Sequence, residues 1–299
     1  MKILNMGSLN YDYVYSVKYI LKPGETLLSK GMETFCGGKG LNQSVAIARA
    51  GEKVYHAGLI GTDGDSLLLT CCDNNIDTSF IKTVEGKSGH TIIQVDEEGQ
   101  NCILLYGGSN QSFTKEYIDS VLRSFEKGDF ILLQNEVNHL NYIIDRAYEK
   151  GLKIALNPSP FNQHIHECDL TKVSLFLLNE IEGEQITGKQ KPEEILDVMA
   201  KQYKEAQIVL TLGSQGVLYR NKTTQISHGV YKVKAIDTTA AGDTFTGYFL
   251  YAMLHGLPIK EALTLSSKAS AIAVSRAGAT SSIPYMTEVM NADLVLNNQ

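Results

Sequence analysis

FILLQNEVNHLNYIIDRAYEKGLKIALNPSP, residues Phe130 to Pro160, is the stretch on which the fold turns. Phe130–Leu133 is a short apolar run of strand type. Leu140–Lys150 carries a helical pattern, and Lys153–Leu156 is a second strand run. The same alternation extends outward. Strands are predicted at Lys2–Met6, Val54–Leu59, Leu175–Leu178 and Ile208–Leu212. Helices are predicted at Leu41–Ala50, Asp65–Asn74, Lys115–Phe125 and Pro192–Tyr203. Alternating elements imply an α/β fold, a doubly wound, mostly parallel sheet flanked by helices on both faces.

Two regions break the pattern. Asn10 to Phe35 reads as strands without a helix. So does Gly89 to Tyr106, where Glu98-Gly99 signals a hairpin. A β-only insert on an α/β body predicts a small β-sheet lid. The last third is helical, Ala241–His255 and Ile259–Ser275, punctuated by Gly256 and Pro258. No repeat or low-complexity linker divides the chain, so one domain over residues 1–299 is expected. Its lid strands fall within about residues 10–35 and 89–106.

Hydrophobic residues make up 43% and charged residues 20%, enough apolar matter for a sizeable core. The net charge of -6 argues against nucleic acid or an anionic membrane as partner. The first residues, MKILNMGSLNYDY, do not read as a signal peptide. No run of about 18 apolar residues predicts a transmembrane helix. Cys36, Cys71, Cys72, Cys102 and Cys168 have no zinc-type spacing, so free thiols in the reducing cytoplasm are expected. His164, His166 and Cys168 are close in sequence, but they sit in a polar, loop-like stretch after Pro160.

In open parallel sheets, ligands bind beyond the carboxyl ends of the strands. Those ends here carry Gly7-Ser8 with Asn10 and Asp12, then Gln134-Asn135-Glu136, Asn157, Asn179, and Thr211 with Gly213-Ser214. Together they predict one crevice rich in hydrogen-bonding groups.

The strongest motif is Asp237-Thr-Thr-Ala-Ala-Gly-Asp243, ahead of an amphipathic helix. A small-residue turn at a helix start aims unpaired N–H groups at one spot, which attracts phosphate. Asp243 in the first turn is either a dipole-complementing carboxylate or a general base beside an anion hole. Phe35-Cys-Gly-Gly-Lys-Gly-Leu-Asn42 opens another helix. Its glycines let the backbone approach a ligand, though without Walker A spacing. Lys39 and Asn42 add donors for hydroxyls or phosphates. Asn179-Glu-Ile-Glu182 reads alone as a capping arrangement, or as a holder of hydrated Mg²⁺. Thr211-Leu-Gly-Ser-Gln-Gly216 reads alone as a hairpin turn.

In this order, the segments resemble the ribokinase branch of the ribokinase/PfkB sugar-kinase family. The resemblance rests on Gly7-Ser-Leu-Asn-Tyr-Asp12, Gly37-Gly-Lys-Gly-Leu-Asn-Gln43, Gln134-Asn-Glu136, Leu156-Asn-Pro-Ser-Pro160 and Asn179-Glu-Ile-Glu182. It continues through Thr211–Gly216, Asp237–Asp243 and Ala271-Ile-Ala-Val-Ser-Arg-Ala-Gly-Ala279 with Ser282. Leu41, Asn135, Leu178 and Ile181 depart from the usual pattern.

The resemblance implies a kinase that moves the γ-phosphoryl group of ATP to the primary hydroxyl of ribose or a related sugar. It makes Asp243 the catalytic base and the amides of Ala240, Ala241 and Gly242 the anion hole. Asn10, Asp12, Gly38, Lys39, Asn42 and Glu136 become sugar contacts. Asn179, Thr211, Leu212, Gly213, Ser214, Gln215, Gly216 and Gly242 become nucleotide contacts, with Ser267 near the adenine. Glu182 would hold Mg²⁺ through water. Asp237, Thr239, Ala273, Arg276, Gly278 and Ser282 would hold K⁺. Two copies would clasp through their lids as a homodimer.

The scarcity of Arg and Lys near the pocket motifs points to an unphosphorylated substrate. Tyr11, Tyr13 and Tyr106 leave a nucleoside open as the alternative, because they could stack on a base. A non-catalytic sugar sensor on this fold should lose the base or the anion hole, and this chain keeps both.

Overall fold

The computed structural model of the chain describes residues 1–297. The expected domain runs to residue 299, and residues 298 and 299 lie outside the described residues. The chain opens with β1 (Ile3–Met6), β2 (Asn10–Ser16), β3 (Gly31–Gly37), α1 (Lys39–Arg49), β4 (Val54–Ile60), α2 (Asp65–Asp73) and β5 (Asp77–Thr83). It continues with β6 (Gly89–Val95), β7 (Asn101–Tyr106), α3 (Lys115–Leu122), β8 (Phe130–Gln134), α4 (Leu140–Glu149), β9 (Lys153–Asn157), α5 (Gln163–His166) and β10 (Leu175–Asn179). Then come α6 (Glu180–Thr187), α7 (Pro192–Gln202), β11 (Gln207–Thr211), β12 (Val217–Arg220), β13 (Gln225–His228) and β14 (Val230–Tyr231). The chain ends with α8 (Ala241–Leu254), α9 (Ile259–Val274), α10 (Met286–Asn291) and β15 (Leu296–Asn297).

Nine strands form the main sheet, in the order β13-β12-β11-β10-β9-β8-β1-β4-β5. Neighbours from β11 through β5 are parallel. Only β12 and β13, at one edge, run antiparallel. Side chains alternate along each strand, so each strand feeds two cores. Leu4, Ile131 and Leu133 pack on one side with Ile143, Ile144 and Leu196. Ile3, Phe130 and Leu132 pack on the other with Leu41, Val45, Phe245 and Phe249. A strand buried on both faces must be apolar throughout, which is why β8 reads as a continuous hydrophobic run.

The chain moves from β1 outward to β4 and β5. It then returns to β8, on the other side of β1, and continues to β11. This reversal opens the crevice beyond the carboxyl ends of β1 and β8. Register places Met6 opposite Leu133, so Gly7 and Ser8 emerge beside Gln134 and Glu136.

A four-stranded second sheet, β3-β2-β6-β7, stands over this end. Both β-only inserts contribute to it, as the sequence predicts. β6 and β7 form the expected hairpin, with Gly99 in the left-handed region at φ 80. Its register pairs Asp12 with Thr91 and Thr91 with Leu105 on one face. Tyr11, His90 and Tyr106 share the other face.

Several details differ from the expectation. Residues 17–30 form no strand, and Pro23 there cannot donate to a ladder. α1 starts at Lys39 rather than Leu41, and most other helices end one to three residues early, where ends fray. β5 escapes the sequence pattern because an edge strand is half exposed and polar, here DTSFIKT. α6 escapes because its small, acidic surface lacks a clear apolar stripe. The stretch after Pro160 contains the four-residue α5 rather than loop alone.

Candidate active site

α8 begins without a side-chain cap. Its N-cap is Ala240, held in the left-handed conformation at φ 58 and ψ 8. A non-glycine residue pays strain to sit there, and a turn of this kind at a helix start is a setting that can attract an anion. The Ala241 amide leans on the Thr238 carbonyl at 3.3 Å. Among the described residues, no protein acceptor meets the amides of Ala240 or Gly242. A methyl group added at Gly242 would meet nothing within 4 Å, so open space faces the turn.

Asp243, in the first turn of α8, is 7% exposed. Its Oδ2 accepts from Asn42 Nδ2 at 2.9 Å, and its Oδ1 accepts from Gln43 Nε2 at 2.8 Å. Both donors stand on α1, which packs against α8. Among the described residues, Asn42 Oδ1 is buried without a partner.

Lid and body converge on the same spot. Asp12, on β2, accepts from the Thr91 hydroxyl at 2.5 Å. Burial raises the Asp12 carboxyl above its usual range, Thr91 opposes the shift, and the Asp243 charge adds to it. Asn10 Oδ1 accepts from Asn110 Nδ2 at 2.7 Å. Glu136 Oε2 accepts from the Ser8 hydroxyl and from the Lys39 amide. Burial also raises Glu136, against the pull of Lys39 and Ser8. For Lys39, burial alone lowers the ammonium, but Asp243, Glu136, Glu182 and Asp12 together hold it above the ordinary lysine value. Lys39 thus stands amid the carboxyl groups of Asp12, Glu136, Glu182 and Asp243, which favour its charged form.

Two glycines of the motif, Gly37 and Gly40, are crowded by protein atoms. A Cβ at Gly37 would lie 2.1 Å from Asp12 Oδ2, and one at Gly40 would lie 2.4 Å from the Ser8 amide nitrogen. These absences let β3 and α1 press against the Gly7–Asp12 segment.

The Asn179–Glu182 pair forms a full capping box. Asn179 Oδ1 accepts from the Glu182 amide at 2.9 Å, and Glu182 Oε2 accepts from the Asn179 amide at 3.0 Å. One Glu182 oxygen stays outside the box. Asn179 pairs with Thr211 across β10 and β11, which brings the Thr211–Gly216 turn to the same edge of the crevice. His228 lies against Gly216 and contacts Thr264 at 3.2 Å. Ser267 follows Thr264 by three residues on α9 and shares its face.

Asp237 ties two loops together. Its carboxylate accepts from the Thr239 amide at 2.8 Å and the Gly278 amide at 2.9 Å. Ala273 lies at the end of α9 that leads into the second loop, and its carbonyl accepts from the Arg276 amide at 3.1 Å. The Arg276 guanidinium turns away to Glu288. Ser282 is buried and bonds the Ala279 carbonyl at 2.8 Å.

Gln43, Thr91 and Asn110, none of them a candidate by sequence, each hold a site side chain in place. Gln43 lies inside the glycine motif and was legible as part of it. Thr91 and Asn110 become visible only when the lid folds over β2. Tyr11, Tyr13 and Tyr106, offered as a base-stacking surface, lie on the lid face opposite Asp12, and the Tyr11 hydroxyl donates to the Asp63 carbonyl.

Behind the site, His56 on β4 is fully buried, and burial lowers it from the ordinary 6.5 to about 4. The unfolded chain protonates this group below 6.5, while the folded chain resists until about 4. The unfolded state thus binds the extra proton between those values, so the fold loses stability as pH falls through the window, by about 3 kcal/mol once pH is below the folded value. Urea unfolding from pH 6.5 to 4 is expected to show a steeper loss for the wild type than for His56→Gln. Equal slopes would remove the assignment.

The sequence profile of the pfkB family carbohydrate kinases matches residues 2–286. A ribokinase of Haemophilus influenzae is 36% identical over 295 residues, covering 95% of this chain and 96% of that protein. The crystal structure of ribokinase from Thermotoga maritima superposes with a TM-score of 0.87 at 33% identity, covering 97% of this chain and 98% of the other. Arabidopsis thaliana ribokinase complexed with ribose and ATP superposes with a TM-score of 0.84 at 26% identity, with 97% of each chain covered. The turn at the start of α8, the buried carboxylate beside it and these similarities agree: the chain belongs to the pfkB family of carbohydrate kinases.

Proposed function

We propose that this chain transfers the γ-phosphoryl group of ATP to the primary hydroxyl of ribose or a close, unphosphorylated relative. The observation that carries the reading is Asp243, buried beside free backbone amides and braced by Asn42 and Gln43. In this reading Asp243 accepts the hydroxyl proton as the oxygen attacks the γ-phosphorus. The bond to the departing ADP oxygen breaks, and the amides of Ala240 to Gly242 receive the charge of the transferring group. Asn10, Asp12, Gly38, Lys39, Asn42 and Glu136 hold the sugar. Hydroxyls both donate and accept, so carboxylates mixed with amides suit them. Asn179, Thr211 to Gly216 and Ser267 hold the nucleotide.

The acidic groups Asp12, Glu136, Glu182 and Asp243 surround Lys39, a setting in which cations accompanying ATP would offset repulsion of its phosphates. The free oxygen of Glu182 fits an outer-sphere hold on hydrated Mg²⁺, which would screen the phosphates when bound. Asp237 ties the loop at Thr239 to the loop at Gly278, and we assign K⁺ to the backbone oxygens of these two loops, a donor type that suits it. Beyond Asp12, the same lid face turns apolar through Val14, Ile93, Ile103 and Leu105. Ile103 is 56% and Leu105 43% exposed, and we assign this face to the lid of a second copy. No described helix is long and apolar enough to cross a membrane. With all five cysteines free, the cytoplasm is the compartment we propose.

An ATP-consumption screen across ribose, deoxyribose, fructose, tagatose and nucleosides, in K⁺ and in Na⁺, tests the reading. Ribose or a close relative is expected to turn over fastest, and K⁺ to exceed Na⁺. A nucleoside preference would overturn the sugar assignment. Indifference to the cation would remove the K⁺ site.

A further inference from the structure

Gln43 has no exposed surface, and its side chain is one link in a buried chain of hydrogen bonds. Its Nε2 donates to Asp243 Oδ1 at 2.8 Å and to Asn157 Oδ1 at 3.2 Å, and its Oε1 accepts from Gln134 Nε2 at 2.6 Å. Gln134 Nε2 also donates to Asn5 Oδ1 at 3.0 Å. Asn5 Nδ2 donates to the Gly40 carbonyl at 2.7 Å and to Ser44 Oγ at 2.8 Å. Ser44 in turn meets His56 Nδ1 at 2.8 Å. The chain runs from the first turn of α8 to β4. Asn5, Gln43, Ser44, His56 and Gln134 are all fully buried.

The polarity of this chain is determined from one end. A backbone carbonyl only accepts, so Asn5 must turn its amide nitrogen to Gly40 and its oxygen to Gln134. Gln134 must then present its amino group, and Gln43 its oxygen. That leaves the Gln43 amino group aimed at Asp243. Gln134 Oε1 lacks a partner among the described residues, yet flipping Gln134 would set its oxygen against those of Asn5 and Gln43 and lose both donations, which costs far more than an exposed flip.

We propose that Gln43, oriented by Gln134 and Asn5, is a positioning residue that fixes the Asp243 carboxylate for proton transfer. Oδ1 is committed to the amide chain. Oδ2, shared only with Asn42, is left to take the proton. The proposal rests on the reading of Asp243 as the base.

The test is a double-mutant cycle. Gln43→Met keeps the volume and burial but removes all three side-chain hydrogen bonds, to Asp243, Gln134 and Asn157. It is expected to lower kcat roughly 10–100-fold, as a misaligned base does, with sugar and ATP dissociation constants within about threefold. In the Asp243→Asn background the same change is expected to alter the residual rate less than about twofold, because the group it positions is already gone. Wild-type kcat in Gln43→Met overturns the proposal, and so does an equal loss in both backgrounds. Full activity of Asp243→Asn alone overturns the base assignment itself, which separates the two failures. Should Gln43→Met not fold, Gln134→Met removes the same orientation from one link further away and is read in the same way.

Discussion

Asp243→Asn is expected to lower kcat by roughly 10²–10⁴-fold while sugar and ATP still bind. The substitution preserves shape, so the loss reports on proton acceptance alone. It also preserves the fold, for a local reason. Asp243 receives two donors, Asn42 Nδ2 and Gln43 Nε2. An amide at 243 keeps one acceptor oxygen and turns a donor toward the other partner. The polarity of Gln43 is set from behind, so the new oxygen stays on its side. Asn42 is free to rotate, because its Oδ1 has no partner in the resting site. After a flip, Asn42 accepts from the new amide while its amino group takes the buried place where Oδ1 had no partner, so one unmet group remains as before and none is added. Asp243→Ala has no such rescue and leaves two donors unmet. Steady-state rates with calorimetric binding of sugar and ATP decide the matter. Near-normal turnover in Asp243→Asn would place the proton acceptor elsewhere.

This region also shows what a sequence reveals. The alternation of apolar runs and helical patterns is a local signal, and it specified the parallel sheet and both flanking layers. Asp243 and the Ala-Ala-Gly turn were legible for the same reason, since a helix N-terminus is built from consecutive residues. The support for Asp243 was not legible. Gln43, Gln134 and Asn5 are 91 and 129 residues apart along the links Gln43–Gln134 and Asn5–Gln134, and no periodicity connects them. Thr91 reaches Asp12 only through the parallel pairing of β2 and β6. The tyrosines failed as a stacking surface because alternation along β2 sends Tyr11 and Tyr13 to one side and Asp12 to the other. Composition places an aromatic near a site, but strand parity decides which way it points.

The glycine motif leads to the second large effect, because its meaning changed on folding. Gly40 reads as a residue that lets backbone approach a ligand, yet its neighbours are protein. A Cβ there would stand 2.4 Å from the Ser8 nitrogen, 2.6 Å from the Gly7 carbonyl carbon and 2.6 Å from the Ser8 oxygen. All three are backbone atoms at the end of the segment that leaves β1, so none can rotate aside. Gly40→Ala must therefore lift the start of α1 away from β1, and such overpacking typically costs about 1–3 kcal/mol. The displaced turn carries Lys39, Asn42 and Gln43, and the last two hold the Asp243 carboxylate. A shift on the order of 1 Å at such a contact can cost about 10²-fold in rate. Urea unfolding is expected to report the stability loss, and kcat/KM to fall by about that factor. Gly242→Ala is the contrast, because a Cβ there meets nothing within 4 Å and stability should hold. If Gly40→Ala is as stable and active as the parent, α1 does not need its close seat on Ser8, and the rigid coupling between the glycine motif and the carboxylate is absent.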